Sequence, residues 1–390
     1  MRPTGMDATK TLETRSLAAQ KIGDSNVAVD PVDASGGGAI SLSVIMPTVS
    51  WTGCFEPCLR AVLEHSAALG GGGAEILVVF DGVGGPPLWL TDAGVKVVTT
   101  GDCRGPAHAR NLGAAEASGN VLLFLDADVE IAPDALERIR TAFTATPDLV
   151  ALFGSYDDAP ACTGVVSQFR NLLHHHTHTS HPGRAASFWS GCGAIRSAAF
   201  FDVGGFDDDF RHPSVEDIEL GLRVQAAGGR IVLDPAIQCK HHKSWSLRSM
   251  VMTDIFRRAV PWTQLILENH NLPVTLNLDW GNRLCGAAAL FSAGLLPLSL
   301  VIGSWWPLLA GPVVLLAMAW MHLDFYQLCL RRRGIAFACA SFALHWLFYL
   351  YSTLTFAAVV IGSKAALFFK HLPWPRLFSG PPQTSNPSRN

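Results

Sequence analysis

Val121-Leu122-Leu123-Phe124-Leu125-Asp126-Ala127-Asp128 is an apolar run closed by two carboxylates with one small residue between them. An apolar run with no polar alternation reads as a strand buried on both faces, the kind found in parallel sheets. Side chains alternate along a strand, so Asp126 and Asp128 are expected on the same side where the chain leaves the sheet. Two like charges there repel each other and resist desolvation. A divalent cation relieves both problems. Hard oxygen ligands suit Mg2+ or Mn2+, which keeps open positions for substrate phosphates. Asp-x-Asp alone is common, and its plain alternative is a polar turn with Asp128 capping the next helix.

The flanking residues alternate strand and helix signals. Ser43–Pro47 is a short buried strand stopped by proline, and Cys58–Leu69 is a helix ended by Gly70-Gly71-Gly72-Gly73. Glu75–Phe80 is a strand closing on Asp81-Gly82, Val95–Val98 another, and Pro106–Ala117 a helix of small residues. Further strands are expected at Leu149–Gly154 and Arg230–Leu233, with a helix from Val215 to Ala227 between them. This alternation predicts an α/β fold with a mostly parallel sheet and helices on both faces. Ligands of such sheets bind outside the carboxyl ends of the strands, where Pro47, Asp81, Asp126 and Asp128 all fall. Residues 155–190 read as irregular, with His174, His175, His176, His178 and His181 crowded together. A mobile lid and a zinc-binding loop are the two readings of that cluster.

The chain has 390 residues, 49% of them apolar and 16% charged, with a net charge of −3. That balance lacks the basic excess of a nucleic-acid binder. Residues 1–40 carry no periodic apolar pattern and read as a mobile tail without a secretory signal. The nine cysteines are scattered, which suggests reduced thiols rather than a disulfide framework. The domain is therefore expected over residues 41–245.

Beyond it the character changes. Residues 246–280 mix Leu247, Met250, Val251 and Ile255 with Arg248, Arg257 and Arg258, a basic amphipathic pattern suited to a membrane surface, or to an ordinary surface helix. Residues 281–370 are expected to hold about three spans. Leu284–Leu323 is long enough for two, with a hairpin at Ser304-Trp305-Trp306-Pro307, and Ile335–Ile361 supplies a third. Arg331-Arg332-Arg333 favours a cytosolic loop, which puts the domain on the cytoplasmic side of a multi-pass protein of the cell (inner) membrane. Lys364 and Lys370 argue mildly against a far-side C-terminus, so the last run has a re-entrant hairpin as its alternative. Residues 371–390 are read as a tail.

Further groups carry chemistry. Asp81 at its strand end can accept hydrogen bonds from a base or ribose, or simply shape a turn before glycine. Arg110, on the helix opening at Pro106, can reach a phosphate or hold the aspartates. Glu216-Asp217 starts a helix, where a carboxylate serves as a general base or as a cap. His241 and His242 offer imidazole ligands, and Lys240 and Lys243 can meet a diphosphate or lipid headgroups.

As an ordered set these pieces resemble the inverting family-two glycosyltransferases with the GT-A fold. The matching parts are Val44-Ile45-Met46-Pro47-Thr48, Asp81-Gly82, Arg110-Asn111-x-Gly113, Phe124-Leu125-Asp126-Ala127-Asp128, Gly204-Gly205-Phe206-Asp207 and Glu216-Asp217-x-Glu219-Leu220, spread over roughly 200 residues. The resemblance implies a UDP- or GDP-linked nucleotide sugar as donor and a hydroxyl acceptor, lipid-linked or membrane-proximal. It implies that Asp81 contacts the base, that Asp126 and Asp128 bind the diphosphate through the metal, with Asp128 the direct ligand, and that Asp217 is the base. His241 or His242 would be a late metal ligand. Val49-Ser50-Trp51 departs from the family's usual Tyr-Asn run. Arg257-Arg258-Ala259-Val260-Pro261-Trp262 lacks the glutamine of the Gln-x-x-Arg-Trp signature of processive synthases, so a single transfer is expected over polysaccharide synthesis. A non-catalytic nucleotide-sugar binding protein is the third reading.

Overall fold

The computed structural model describes residues 39–91, 93–268 and 280–368. It divides into two compact units, one ending at Trp245 and one beginning at Ser246. Residues 1–38 and 371–390 of the expected tails, and 269–279 of the expected surface segment, lie outside the described residues.

In chain order the first unit comprises β1 (Leu42–Thr48), α1 (Phe55–Ala68), β2 (Glu75–Phe80), α2 (Leu88–Thr91), β3 (Lys96–Thr99), α3 (Pro106–Ala115), β4 (Val121–Leu125) and β5 (Val129–Ile131). It continues with α4 (Ala135–Ala145), β6 (Leu149–Tyr156), α5 (Val165–Thr179), β7 (Gly183–Arg184), β8 (Cys192–Arg196), α6 (Ser197–Asp202), α7 (Glu216–Ala226) and β9 (Arg230–His241). The sheet runs β3-β2-β1-β4-β8-β6-β9-β5, with β7 also on β9. The β3-β2-β1-β4 half is parallel. In the other half β8 runs antiparallel to both β4 and β6, whereas β6 and β9 are parallel.

The apolar run around Leu123 is buried on both faces. Val44, Met46, Leu123 and Leu125 pack with Phe55, Leu59 and Val62 of α1 and Ile139 and Phe143 of α4. Phe124 faces the other way, with its ring 5.3 Å from Phe200 and 5.0 Å from Phe206. On that side α3 approaches closely: a Cβ on Gly113 would sit 2.5 Å from Ile45 Cγ2. The small residues of the Pro106 helix thus serve tight packing on the sheet.

Two expectations are corrected. Residues 165–179 are not irregular; they form α5, and neither a lid loop nor a zinc loop is present there. His175 and His178 line its buried face, their Nδ1 atoms 2.7 Å from the Tyr156 carbonyl and 3.0 Å from the Gly154 carbonyl. An imidazole is polar by composition, yet it is buried at little cost when a sheet carbonyl accepts its proton, so hydrophobic periodicity misses such a helix. The last strand also runs eight residues further than expected, to His241. Asp234-Pro235 signals a break, but the ladder resumes beyond an irregularity opposite Gly154, where a Cβ would lie 2.2 Å from the Ile237 carbonyl oxygen.

The second unit contains α8 (Leu247–Asp254), a π-helical turn (Ile255–Ala259), α9 (Val260–Glu268), α10 (Trp280–Ile302), a 3-10 turn (Trp306–Leu309), α11 (Ala310–Met321), α12 (Leu323–Arg333) and α13 (Ile335–Phe368). Ser246 and Ser249 cap α8 reciprocally. Leu247, Met252 and Phe256 stand exposed. Among the described residues two helices are long and apolar enough to cross a membrane, Trp280–Ile302 and Ile335–Ser363. The expected middle span is a bent pair, Trp306–Met321 and Leu323–Arg333, which makes a third span if the two helices count as one. Its 12-residue helix α11 rises only ~18 Å, and the chain bends by 79° between Met321 and Leu323 before α12 ends on Arg331-Arg332-Arg333. At the bend His322 approaches the Tyr349 hydroxyl at 2.8 Å and lies 4.7 Å from the His345 ring. Such side-chain partners hold a helix break in an apolar bundle.

Candidate active site

The carboxyl edge of the parallel half-sheet gathers residues far apart in sequence. Arg110, on α3, is only 4% exposed and lies between two carboxylates. Its Nη2 donates to Asp126 at 2.7 Å and its Nη1 to Glu216 at 2.9 Å. The guanidinium also lies 5.4 Å over the Phe206 ring. Asn111 pins that segment, donating to the Phe206 carbonyl and accepting from its N–H, both at 2.8 Å. The Arg-Asn pair and the Gly-Gly-Phe segment are therefore one packed unit, and Arg110 is sealed within the carboxylate set instead of open to a phosphate.

Asp217 is adjacent to Glu216 but plays a different part. Its Oδ2 accepts from the Ser190 backbone N–H at 3.1 Å. Desolvation, then the charge of Glu216, push its carboxyl up to about 7, against the opposing pull of the Ser190 N–H and Arg110. Glu216 is buried and held by Arg110 and by the Ser214 N–H at 2.7 Å, so of the pair only Asp217 keeps accessible surface. Sequence reasoning passed over Ser190, whose backbone N–H and, at 3.4 Å, hydroxyl both donate to Asp217 Oδ2; nothing local in the sequence marks that.

Asp126 and Asp128 diverge. β4 stops at Leu125 and the next three residues turn, with the Val129 N–H bonding the Asp126 carbonyl at 3.0 Å. The strand alternation that would have aligned the two carboxylates does not extend through them. Asp126 goes to Arg110, whereas Asp128 Oδ2 lies 3.8 Å from His241 Nε2. The register β5–β9 causes this meeting, pairing Val129 with His241, and the His242 N–H bonds the Asp128 carbonyl at 2.9 Å. Burial pushes the His241 imidazole down to about 3, leaving it neutral. His242, next along the chain, points the other way and meets Glu130 at 2.7 Å. The expected quartet of Asp126, Asp128, His241 and His242 is thus split. Among the described residues no three His, Cys, Asp or Glu side chains group for a metal.

Asp81 is 5% exposed and fully engaged. Its Oδ1 accepts from Thr100 Oγ1 at 3.0 Å and the Arg104 N–H at 2.8 Å; its Oδ2 accepts from the Gly105 N–H at 2.8 Å and faces Cys103 Sγ at 3.6 Å. A carboxylate offers about four acceptor sites, so here it anchors the 100–105 loop rather than standing free for a base. Pro47 lies in β1 opposite Val79. Lys240 is tied to Asp157 at 2.6 Å, while Lys243 is exposed, its Nζ 4.9 Å from the Trp245 ring. Gly105 has φ +100, and a Cβ there would lie 2.4 Å from the Arg211 carbonyl oxygen. Gly105→Ala is expected to cost about 1–3 kcal/mol or more, seen as a lower melting temperature; an unchanged melt would show the loop to be slack.

Residues 43–202 match the family model described as glycosyl transferase family 2. Over those residues the chain is similar to family-two glycosyltransferases. It is 28% identical over 200 residues to the pre-mycofactocin glycosyltransferase of Mycobacterium tuberculosis (strain CDC 1551 / Oshkosh), covering 47% of this chain and 41% of that protein. It is 28% identical over 165 residues to inactive polypeptide N-acetylgalactosaminyltransferase-like protein 5 of Macaca fascicularis, covering 38% and 37%. The chain thus spans about two-fifths of the length of these curated relatives. A mannosyltransferase from Pyrobaculum calidifontis, solved with GDP-Man and Mn2+, is 18% identical with a TM-score of 0.47, covering 93% of this chain and 97% of that one. GalNAc-T7, solved with UDP, GalNAc and Mn2+, is 17% identical with a TM-score of 0.42, covering 63% and 54%. The matched residues lie in a mixed sheet flanked by helices. One relative is named inactive, so turnover rests on the residues of the site and not on similarity.

Proposed function

We propose that the chain transfers a sugar from a UDP- or GDP-linked nucleotide sugar to a hydroxyl acceptor, with inversion and a divalent metal, and that the acceptor is lipid-linked or membrane-proximal. The observation that carries this reading is the buried Arg110 bridge, which ties the Asp126 turn to the Glu216–Asp217 helix start, Arg110 and Glu216 being 106 residues apart in the chain. The bridge engages one carboxylate on each side, Asp126 and Glu216. Asp128 and Asp217 keep solvent-accessible surface, with Asp128 facing the neutral His241.

The donor set fits a metal completed by substrate. Asp128 and neutral His241 converge, Asp126 keeps one oxygen beyond its bond to Arg110, and the diphosphate and water would fill the remaining positions. Bound Mg2+ or Mn2+ supplies Lewis-acid stabilisation of the charge that develops on the leaving diphosphate. Lys243 is the exposed cation available to that diphosphate. Asp217 takes the proton of the acceptor hydroxyl, and Ser190 orients it for that task. Attack from the face opposite the leaving group inverts the anomeric centre.

The two apolar helices and the exposed Leu247, Met252 and Phe256 support membrane attachment, hence an acceptor near the bilayer. Arg331–Arg333 supports the cytoplasmic side of the inner membrane. Purified full-length protein is expected to hydrolyse UDP- or GDP-sugars with Mn2+ or Mg2+, to lose about a hundredfold or more in excess chelator, and to recover on metal addition. Equal turnover with and without chelator removes the metal from the mechanism.

A further inference from the structure

The transfer chemistry leaves the α5 histidines without a role, and their packing supplies one. The His174 ring lies 4.3 Å from Tyr156, 4.0 Å from His178 and 4.7 Å from Trp189. Its Nδ1 is sealed off without a hydrogen-bond partner. Tyr156 stacks on His241 at 4.4 Å and 15°, and meets Trp189 edge-on at 4.9 Å. These rings form a continuous wall that begins beside Asp128, through His241, and ends at Trp189. Burial pushes His178 down to about 4 and holds His174 well below the ordinary imidazole range, so the wall is uncharged.

Trp189 stands where this wall meets the base. The next residue, Ser190, donates its N–H to Asp217, and the one after, Gly191, accepts the Asp126 N–H at 3.2 Å. A Cβ on Gly191 would lie 2.5 Å from the indole, so glycine lets the ring lie against its own backbone. Trp189 is half-buried, held by three neighbouring rings and still partly open. A rigid, uncharged indole with an electron-rich face attracts the C–H groups on the apolar face of a sugar ring. A bare prenyl phosphate offers no such face.

We propose that Trp189 is the platform on which the acceptor stacks, and that the acceptor therefore presents a saccharide ring at the hydroxyl that reacts. This rests on the transferase reading of the same site. The α5 imidazoles are positioning residues that hold the platform.

The test uses the full chain in a non-glycosidic detergent, with whichever of UDP-glucose and GDP-mannose it hydrolyses. Hydrolysis to water is read beside transfer to octyl β-D-glucopyranoside and to 1-octanol. Wild type is expected to prefer the glucoside by about tenfold in kcat/KM. Trp189→Ala should lose that preference through a higher KM for the glucoside, with donor hydrolysis within about twofold, and Trp189→Tyr should recover most of it. A Trp189→Ala variant that keeps the preference overturns the proposal. So does loss of hydrolysis in step with transfer, which marks a merely structural indole, or a wild type that favours octanol. No donor hydrolysis by wild type would instead remove the transferase reading itself, and the platform with it.

Discussion

Asp217→Asn is expected to lower the rate of sugar transfer by about three orders of magnitude while making the protein more stable above neutral pH. Asparagine keeps the size of the side chain and the oxygen that meets the Ser190 N–H, but it cannot take a proton. The stability effect follows from linkage. The native Asp217 carboxyl is raised to about 7 by desolvation and by Glu216, so the folded chain holds this proton more tightly than the unfolded chain does. Stability from that proton is complete below the ordinary carboxylate range and is lost as pH rises from about 4 to about 7. Above that window the native state carries a charge it accommodates poorly. Asparagine removes it, with an expected gain on the order of 1–3 kcal/mol at pH 8. The groups that set this balance are Glu216 and Asp126, which raise it, and Arg110, which opposes them. The wild-type pH–rate profile should accordingly fall below about pH 7. Thermal melts at pH 8 beside a rate profile check both halves. A variant that retains more than a tenth of wild-type transfer would acquit Asp217 as the base.

The second large effect is at Arg110. Arg110→Leu leaves Asp126 and Glu216 facing a cavity without their shared cation, an uncompensated arrangement that costs about 3–5 kcal/mol. Arg110→Lys keeps the charge but loses the fork, and one ammonium does not reach two carboxylates on different elements with the same geometry. An intermediate loss is therefore expected from lysine, and it remains measurable if leucine prevents folding. Removing the cation also lets Asp217 rise further, so the acid limb of the rate profile should move to higher pH in the leucine variant. Denaturant melts give the first quantity and the rate profile the second. Variants as stable as wild type would reduce the bridge to a bystander.

Much of this was readable in one dimension. The strand ending at Leu125, the alternation of strands and helices from Ser43, the ends at Asp81 and Glu216, and the change of character after Trp245 follow from apolar patterning, which reports burial directly. Residues that pattern alone cannot place were misread or missed. α5 was taken for irregular chain because two of its buried positions, His175 and His178, are histidines whose cost is met by the Tyr156 and Gly154 carbonyls. β9 was cut short at Leu233, before Asp234-Pro235, because a local break signal was overridden by the sheet.

The amino-acid order by itself determined which residues carry charge at the strand ends and which stretches must leave water. It could not determine how those charges are shared. That Arg110 binds two carboxylates, that Asp81 spends its acceptors on its own loop, and that Asp128 turns to His241 while His242 turns away were decided by sheet register and by backbone groups donated from distant elements. Hydrogen bonds and desolvation depend on distance in space, and a chain specifies those distances only once it has folded.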